Sequence, residues 1–311
     1  MVLQLKTEYG KRFRFLEGLP SGYNGKVLPG SHAISCIEDF GTMVIQEISS
    51  DIYSISYQYF QFLQPFTLQW RPVESRPFSC FAIRNDLHET IEGYGALKIK
   101  QGQYNFQGQS ITGGTASYEK KKVYESLYTG YGPALMEGID ASAVTRPQWA
   151  GRSLLQWIND IFSHELRPDF RQKYYENKVR ESILLQFGTI AFNQPKKDGL
   201  LPHEQEAVYE TLRIISADSK EHIPLDEIAK RLKLKNFHLK SIFLRAIGMN
   251  IYEYQLYKKM MEARSLLLNT DKGEKEIAAM LGYSSNASFT TAFRKYFGIT
   301  PSALRNQRTS E

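Results

Sequence analysis

Three hydrophobic patterns follow one another along the 311-residue chain. From about residue 26 to 125, apolar and polar positions alternate over short runs. The clearest run spans residues 51–70, where Tyr53, Ile55, Tyr57 and Tyr59 alternate with Ile52, Ser54, Ser56 and Gln58 at the period of two that a strand requires. Turn chemistry interrupts at short intervals: Arg71-Pro72, Arg76-Pro77, Arg84-Asn85-Asp86, Glu92-Gly93, Gln101-Gly102, Gln107-Gly108 and Gly113-Gly114. Short strands with frequent turns predict an antiparallel β-sandwich or barrel. From Gly151 to about Phe192 the period becomes helical. Leu154, Leu155, Ile158, Ile161 and Phe162 form one stripe; Tyr174, Tyr175, Val179, Ile183, Leu184 and Phe187 form a second. Arg167-Pro168-Asp169 parts the two helices, and residues 193–199 (NQPKKDG) form a polar linker.

The remaining third contains an internal repeat. Ile228 and Ile277, Leu232 and Leu281, and Leu234 and Tyr283 correspond at an offset of 49; Leu239 and Phe289, Phe243 and Phe293, and Gly248 and Gly298 correspond at 50. The second copy therefore has one extra residue in its turn. Each copy has an Ile-Ala helix, a short turn, and a second helix whose apolar residues lie four apart, the pattern by which a helix-turn-helix buries its corner. Gly282 supplies a left-handed turn residue, and Ser284 or Ser285 the helix N-cap. Between the copies, residues 251–269 contain neither Gly nor Pro. They predict one helix of about 17 to 19 residues, roughly 25–28 Å long. Such a rod can hold two recognition helices near one DNA turn apart, about 34 Å.

Charge supports this division. The chain carries a formal net charge of +6, but residues 225–308 hold 15 Lys/Arg against 7 Asp/Glu, and the remainder is mildly acidic. A basic module joined to an acidic one suits binding to a polyanion. A hydrophobic content of 42% with 23% charged residues is that of a soluble globular protein, and no window reaches bilayer-spanning length. The first residues lack the apolar block of a secretory signal, so the expected location is the cytoplasm, away from membranes. Cys36 and Cys80 are the only cysteines, too few for a disulfide framework and expected to be reduced and buried.

Ala263-Arg-Ser-Leu-Leu-Leu, Ile277-Ala-Ala-Met-Leu-Gly-Tyr-Ser-Ser and Phe293-Arg-Lys-Tyr-Phe-Gly-Ile-Thr-Pro301 resemble the signature of the AraC/XylS transcription regulators. The resemblance covers roughly the last hundred residues. It implies promoter DNA as partner, with RNA polymerase if the protein activates, and recognition helices at about 236–246 and 286–296. Base contacts then fall on Asn236, Phe237, Lys240 and Ser241 in the first unit, and on Ser285, Asn286, Ala287 and Thr291 in the second; Arg294 and Lys295 meet phosphates. Two positions depart from the family. Lys233 stands where the turn glycine is usual, implying strain or a different turn, and Thr291 stands where arginine is common, implying weaker base reading in the second helix.

By the same resemblance the N-terminal part is a cupin-like β domain sensing a small molecule. The helices around residues 167–187 resemble the connector of the siderophore-responsive subgroup. The full expectation is an α+β chain: residues 1–150 a β-barrel or sandwich sensor, 151–200 connector helices and linker, and 201–311 an all-α domain with two helix-turn-helix motifs. Aromatic density makes Tyr57, Tyr59, Phe62 and Trp70 candidate ligand contacts, with ordinary core packing the competing account for each. Control by a protein partner, without a ligand, stays open, as does a homodimer. No catalytic residue, metal site or cofactor is expected. His32 and His88 lack the spacing of a catalytic cupin, His164, His203, His222 and His238 lie apart on helices or linkers, and no nucleophile or phosphate-loop motif occurs.

Overall fold

The structure, a computed structural model, describes residues 3–7, 13–73, 76–141, 145–163, 167–188, 200–217 and 222–309. The expected linker at 193–199, the end of the second connector helix beyond 188, and His164 lie outside the described residues. The chain divides into two compact units, Met1–Lys196 and Lys197–Glu311.

In the first unit the strands are β1 (Leu3–Thr7), β2 (Leu16–Glu17), β3 (His32–Glu38), β4 (Gly41–Ser49), β5 (Tyr53–Phe62), β6 (Phe66–Pro72), β7 (Phe78–Arg84), β8 (Leu87–Ile91), β9 (Gly95–Ile99), β10 (Gln103–Gln107), β11 (Gly114–Tyr118), β12 (Val123–Tyr131) and β13 (Gln148–Trp149). They form a five-stranded sheet, β1-β6-β11-β8-β9, and an eight-stranded sheet, β13-β10-β7-β12-β5-β4-β3-β2. The strands thus begin earlier and end later than the alternation around 26–125 indicates, because short edge strands such as β1 are fixed by pairing with β6 rather than by their own pattern. The two sheets share one core. Leu68, Trp70, Ile91 and Ala116 of the smaller meet Met43, Phe60, Phe62, Phe78, Cys80 and Tyr128 of the larger. Phe62 and Phe66 stack with ring centroids 4.6 Å apart. Each such side chain contributes about 1.5–3 kcal/mol by leaving water.

β5 is buried on both faces. Its outer face is covered by α1 (Arg152–Ile161) and α2 (Pro168–Ile183). Tyr53 donates to the Gln172 carbonyl at 3.0 Å, and Trp157 packs on Phe81. Pro168 opens α2 at the first helical position, where its missing N–H costs nothing. The end of this helix differs from the expected stripe. Residues Leu184–Gly188 form a π turn, which widens the helix and rotates the face presented to the sheet. Leu184 is thereby 69% exposed, and Gln186 takes the buried position instead.

Gln186 enters a closed network on the outer sheet face. It accepts from Ser79 Oγ at 2.6 Å and donates to Tyr131 Oη at 2.9 Å, while Tyr131 also bonds Ser79 and Thr129.

The second unit is helical: α3 (Pro202–Ala217), α4 (Leu225–Arg231), α5 (Asn236–Ile247), α6 (Ile251–Asn269), α7 (Glu274–Met280), α8 (Asn286–Phe297) and α9 (Pro301–Thr309). Asn250 caps α6 in a reciprocal capping box with Glu253. At 19 residues this helix is about 28 Å long. Ile277, Leu281, Phe289 and Phe293 form the second corner's core, packed on Met260, Ala263 and Leu267 of α6.

Candidate nucleic-acid interface

The two turns are built alike. In the second, Gly282 has φ of 73°, its N–H reaches Ala279 O at 3.1 Å, and the Tyr283 N–H reaches Ala278 O at 2.9 Å. In the first, Lys233 has φ of 55°, its N–H reaches Lys230 O at 3.2 Å, and the Leu234 N–H reaches Ala229 O at 2.9 Å. Of the two alternatives posed by the missing glycine, the chain keeps the same turn, and Lys233 holds a left-handed backbone that a Cβ disfavours.

The helices that follow start differently. Ser285 is the N-cap of α8: its Oγ accepts from Ser288 N at 3.1 Å, and Ser288 Oγ accepts from Ser285 N. This is the extra residue of the second turn at work. α5 begins after Lys235 with no side-chain cap. Both helices end at glycines, Gly248 and Gly298.

Opposite the buried Leu239, Ile242 and Phe243, α5 exposes Asn236, Phe237, Lys240 and Leu244, with Ser241 half-buried at the edge. Phe237 is 85% exposed, an unusual position for a phenyl ring that has a core available one turn away. Opposite Phe289 and Phe293, α8 exposes Asn286, Ala287, Thr291, Arg294 and Lys295. The expected reader residues of each unit therefore share one solvent face of their helix. Ser285 has its hydroxyl engaged in the cap.

Two residues that pattern reading passed over support this face. Glu204, at the start of α3, is buried and accepts from Leu201 N at 2.9 Å; its Oε1 lies 3.7 Å from His238 Nε2 and 3.8 Å from Arg245 Nη1, both on α5. An acidic residue just after Pro202 was the available signal for a helix start. Gln255 of α6 accepts from Ile223 N and donates to Ile223 O, each at 2.9 Å, fixing the entry to α4.

In the first unit the four candidate ligand residues are not brought together. Strand parity puts Tyr57 and Tyr59 on the helix-covered face of β5, and Phe62 on the inter-sheet face with Trp70. Tyr57 Oη accepts from Lys26 N at 3.3 Å, and its ring meets Phe162. Tyr59 donates to Asn24 Oδ1 at 3.1 Å. Burial pushes both hydroxyl pKa values up, so both stay protonated. Cys36 and Cys80 are buried free thiols. Among the described residues no group of His, Cys, Asp and Glu is arranged to hold a metal, and no helix is long and apolar enough to cross a membrane.

With this geometry the molecule belongs to a recognisable class, a two-corner helix-turn-helix unit following a β-rich unit. Residues 228–307 match a family model described as a helix-turn-helix domain. Over 89 residues the chain is 36% identical to the probable transcription factor PqrA of Proteus vulgaris, covering 29% of this chain and 73% of that protein. It is 36% identical over 99 residues to the uncharacterized HTH-type transcriptional regulator YtdP of Bacillus subtilis, covering 32% of this chain and 13% of that protein. Among solved structures, the C-terminal domain of the response regulator yesN from Fusobacterium nucleatum is 31% identical, with 32% of this chain and 98% of that chain covered and a TM-score of 0.31. The match spans only 13% of YtdP and 29% of the regulator ArgR of Pseudomonas aeruginosa. The chain belongs to the AraC-type family of helix-turn-helix transcription regulators, a family of regulators and not of enzymes.

Proposed function

We propose that this chain is a sequence-specific transcription regulator whose second unit grips promoter DNA through α5 and α8, under the control of a small ligand held in a cupin-like first unit. The observation that carries the DNA reading is the matched pair of corners, each presenting a polar, basic or aromatic stripe on an exposed helix. Lys240 has the reach to read guanine edges, and Phe237 offers an apolar surface to a thymine methyl. Arg294 and Lys295, in the last turn of α8, suit phosphate oxygens. Thr291 and Ala287 are too short for bidentate contacts, so α5 supplies more of the specificity. RNA polymerase and a second copy of the chain are the further partners this role calls for.

Binding of the full chain to the DNA upstream of its own gene, followed by fluorescence anisotropy across a salt series, tests the DNA reading. With about 6–10 phosphate contacts the affinity falls on the order of 10³–10⁵-fold between roughly 50 and 200 mM salt. A flat response overturns it. Ligand control predicts a thermal shift of the full chain with at least one member of a panel of siderophores, sugars, aromatic acids and amines. No shift across the panel favours control by a protein partner.

A further inference from the structure

We infer that the turn of the first corner is a DNA-phosphate site, carried by Lys233 and Lys235, and that the second corner has no counterpart to it. This rests on the reading of the second unit as a DNA-binding module, and adds a backbone contact to the residues named there.

The two turns share a backbone and differ in charge. At the repeat offset of 49, Lys230, Arg231 and Lys233 stand opposite Ala279, Met280 and Gly282. Lys235, at the N-cap of α5, holds the place that Ser285 holds before α8. Every basic residue of the first turn is thus neutral in the second. Arg231 is paired with Glu227 one helical turn back. Lys230, Lys233 and Lys235 are exposed, and their ammonium groups have no partner among the described residues.

Folding alone disfavours these lysines. Lys233 sits at φ of 55°, where a Cβ is strained and the other corner has glycine. Lys235 brings a cation to the positive end of the α5 dipole. No side chain caps that end, and no acidic residue stands in its first turn. The helices on either side do carry acids there, Asp226 and Glu227 in α4 and Glu253 in α6. Three unpaired like charges between residues 230 and 235 also repel one another. A bound anion relieves the repulsion and the conflict with the dipole together, which makes an otherwise unfavourable turn useful.

Placement selects the anion. A recognition helix meets base edges with its N-terminal residues while the helix before it crosses the sugar-phosphate backbone. α5 exposes Asn236, Phe237 and Lys240 from its N-terminal half, and the turn leads directly into them. When those residues face the bases, the turn lies at the groove wall, within reach of phosphate oxygens for a lysine acting as a point charge. In the second corner the cations Arg294 and Lys295 stand at the other end of the helix, in the last turn of α8. The two corners therefore hold the backbone at opposite ends of their reading helices.

Lys233→Gly and Lys235→Ser each give the first corner the residue that the second one carries. Both are expected to keep or raise the urea midpoint of the full chain, so that a loss of binding is not a loss of folding. Fluorescence anisotropy follows binding to a duplex that the full chain has selected from a random pool, and to a scrambled duplex of equal length. Each variant is expected to weaken both duplexes alike, about five- to ten-fold at roughly 0.1 M salt, and to lower the salt slope by about 1. Lys233→Arg is expected to keep the parental slope. Unchanged affinity and slope in both variants, beside a parent that binds steeply, overturns the phosphate site and leaves the regulator reading standing. A loss confined to the selected duplex also overturns it, since the lysines would then act through base reading. A parent that binds no duplex removes the regulator reading and this site with it.

Discussion

Lys233 is a single residue whose backbone contradicts its side chain. At φ of 55° it occupies the left-handed region that Gly282 occupies in the other corner. A Cβ there costs about 1–2 kcal/mol, of which glycine's greater unfolded-state entropy returns about 0.4–1. Lys233→Gly is therefore expected to stabilise the second unit by about 0.5–1 kcal/mol, read from the urea midpoint; a loss of stability would mean that the lysine side chain anchors the turn. Glu89 carries a conflict of another kind, an acidic side chain in an apolar core. It sits within the inter-sheet core, 6% exposed, accepting from Gln107 Nε2 at 3.2 Å. Burial pushes its carboxyl up to about 7, against the opposing pull of hydrogen bonds from Gln107 and Tyr128. The folded chain thus holds this proton more tightly than the unfolded chain does. The stability it contributes is full below about 4.5 and is lost as pH rises through about 7. The change amounts to about 3 kcal/mol. Glu89→Gln is expected to flatten that part of the stability profile and to raise stability above pH 7 relative to the parent; an unaltered slope contradicts this.

Among elements, the π turn at Leu184–Gly188 decides how the end of α2 meets the sheet. It buries Gln186 in the network of Ser79, Thr129 and Tyr131 on the outer sheet face. Gln186→Leu keeps the volume and removes both bonds. It is expected to cost about 1–3 kcal/mol and to raise amide exchange in the last turns of α2; exchange unchanged there would show that apolar packing alone holds the turn. This element also marks where pattern reading stops. A stripe drawn at 3.6 residues per turn takes Leu184 inward, and nothing local in Leu184-Leu185-Gln186-Phe187 announces an added residue. The corners were legible because their determinants are local: apolar residues four apart, closing glycines, and a serine cap at Ser285. Parity along β5 also separates Tyr57 and Tyr59 from Phe62, a distinction available from the chain itself. The meeting of Phe62 with Trp70 was not available, since it depends on how two sheets face each other.

At the scale of the molecule, two corners of unequal chemistry are joined by one helix. α5 carries the exposed Phe237 and Lys240 after a turn without glycine; α8 carries small residues on its exposed face behind a well-formed cap. Lys240→Ala is expected to weaken a selected site by about 1–3 kcal/mol and to relax preference at the bases it reads. Arg294→Ala is expected to weaken all sequences alike and to lower the salt slope by about 1. Titrations against selected and scrambled duplexes check both. The most direct measurement is a hydroxyl-radical footprint of the full chain on a duplex it has itself selected from a random pool. Two protected windows on one face of the DNA, centred about 10 base pairs apart, are the predicted result; a single window, or none, would contradict a two-corner grip.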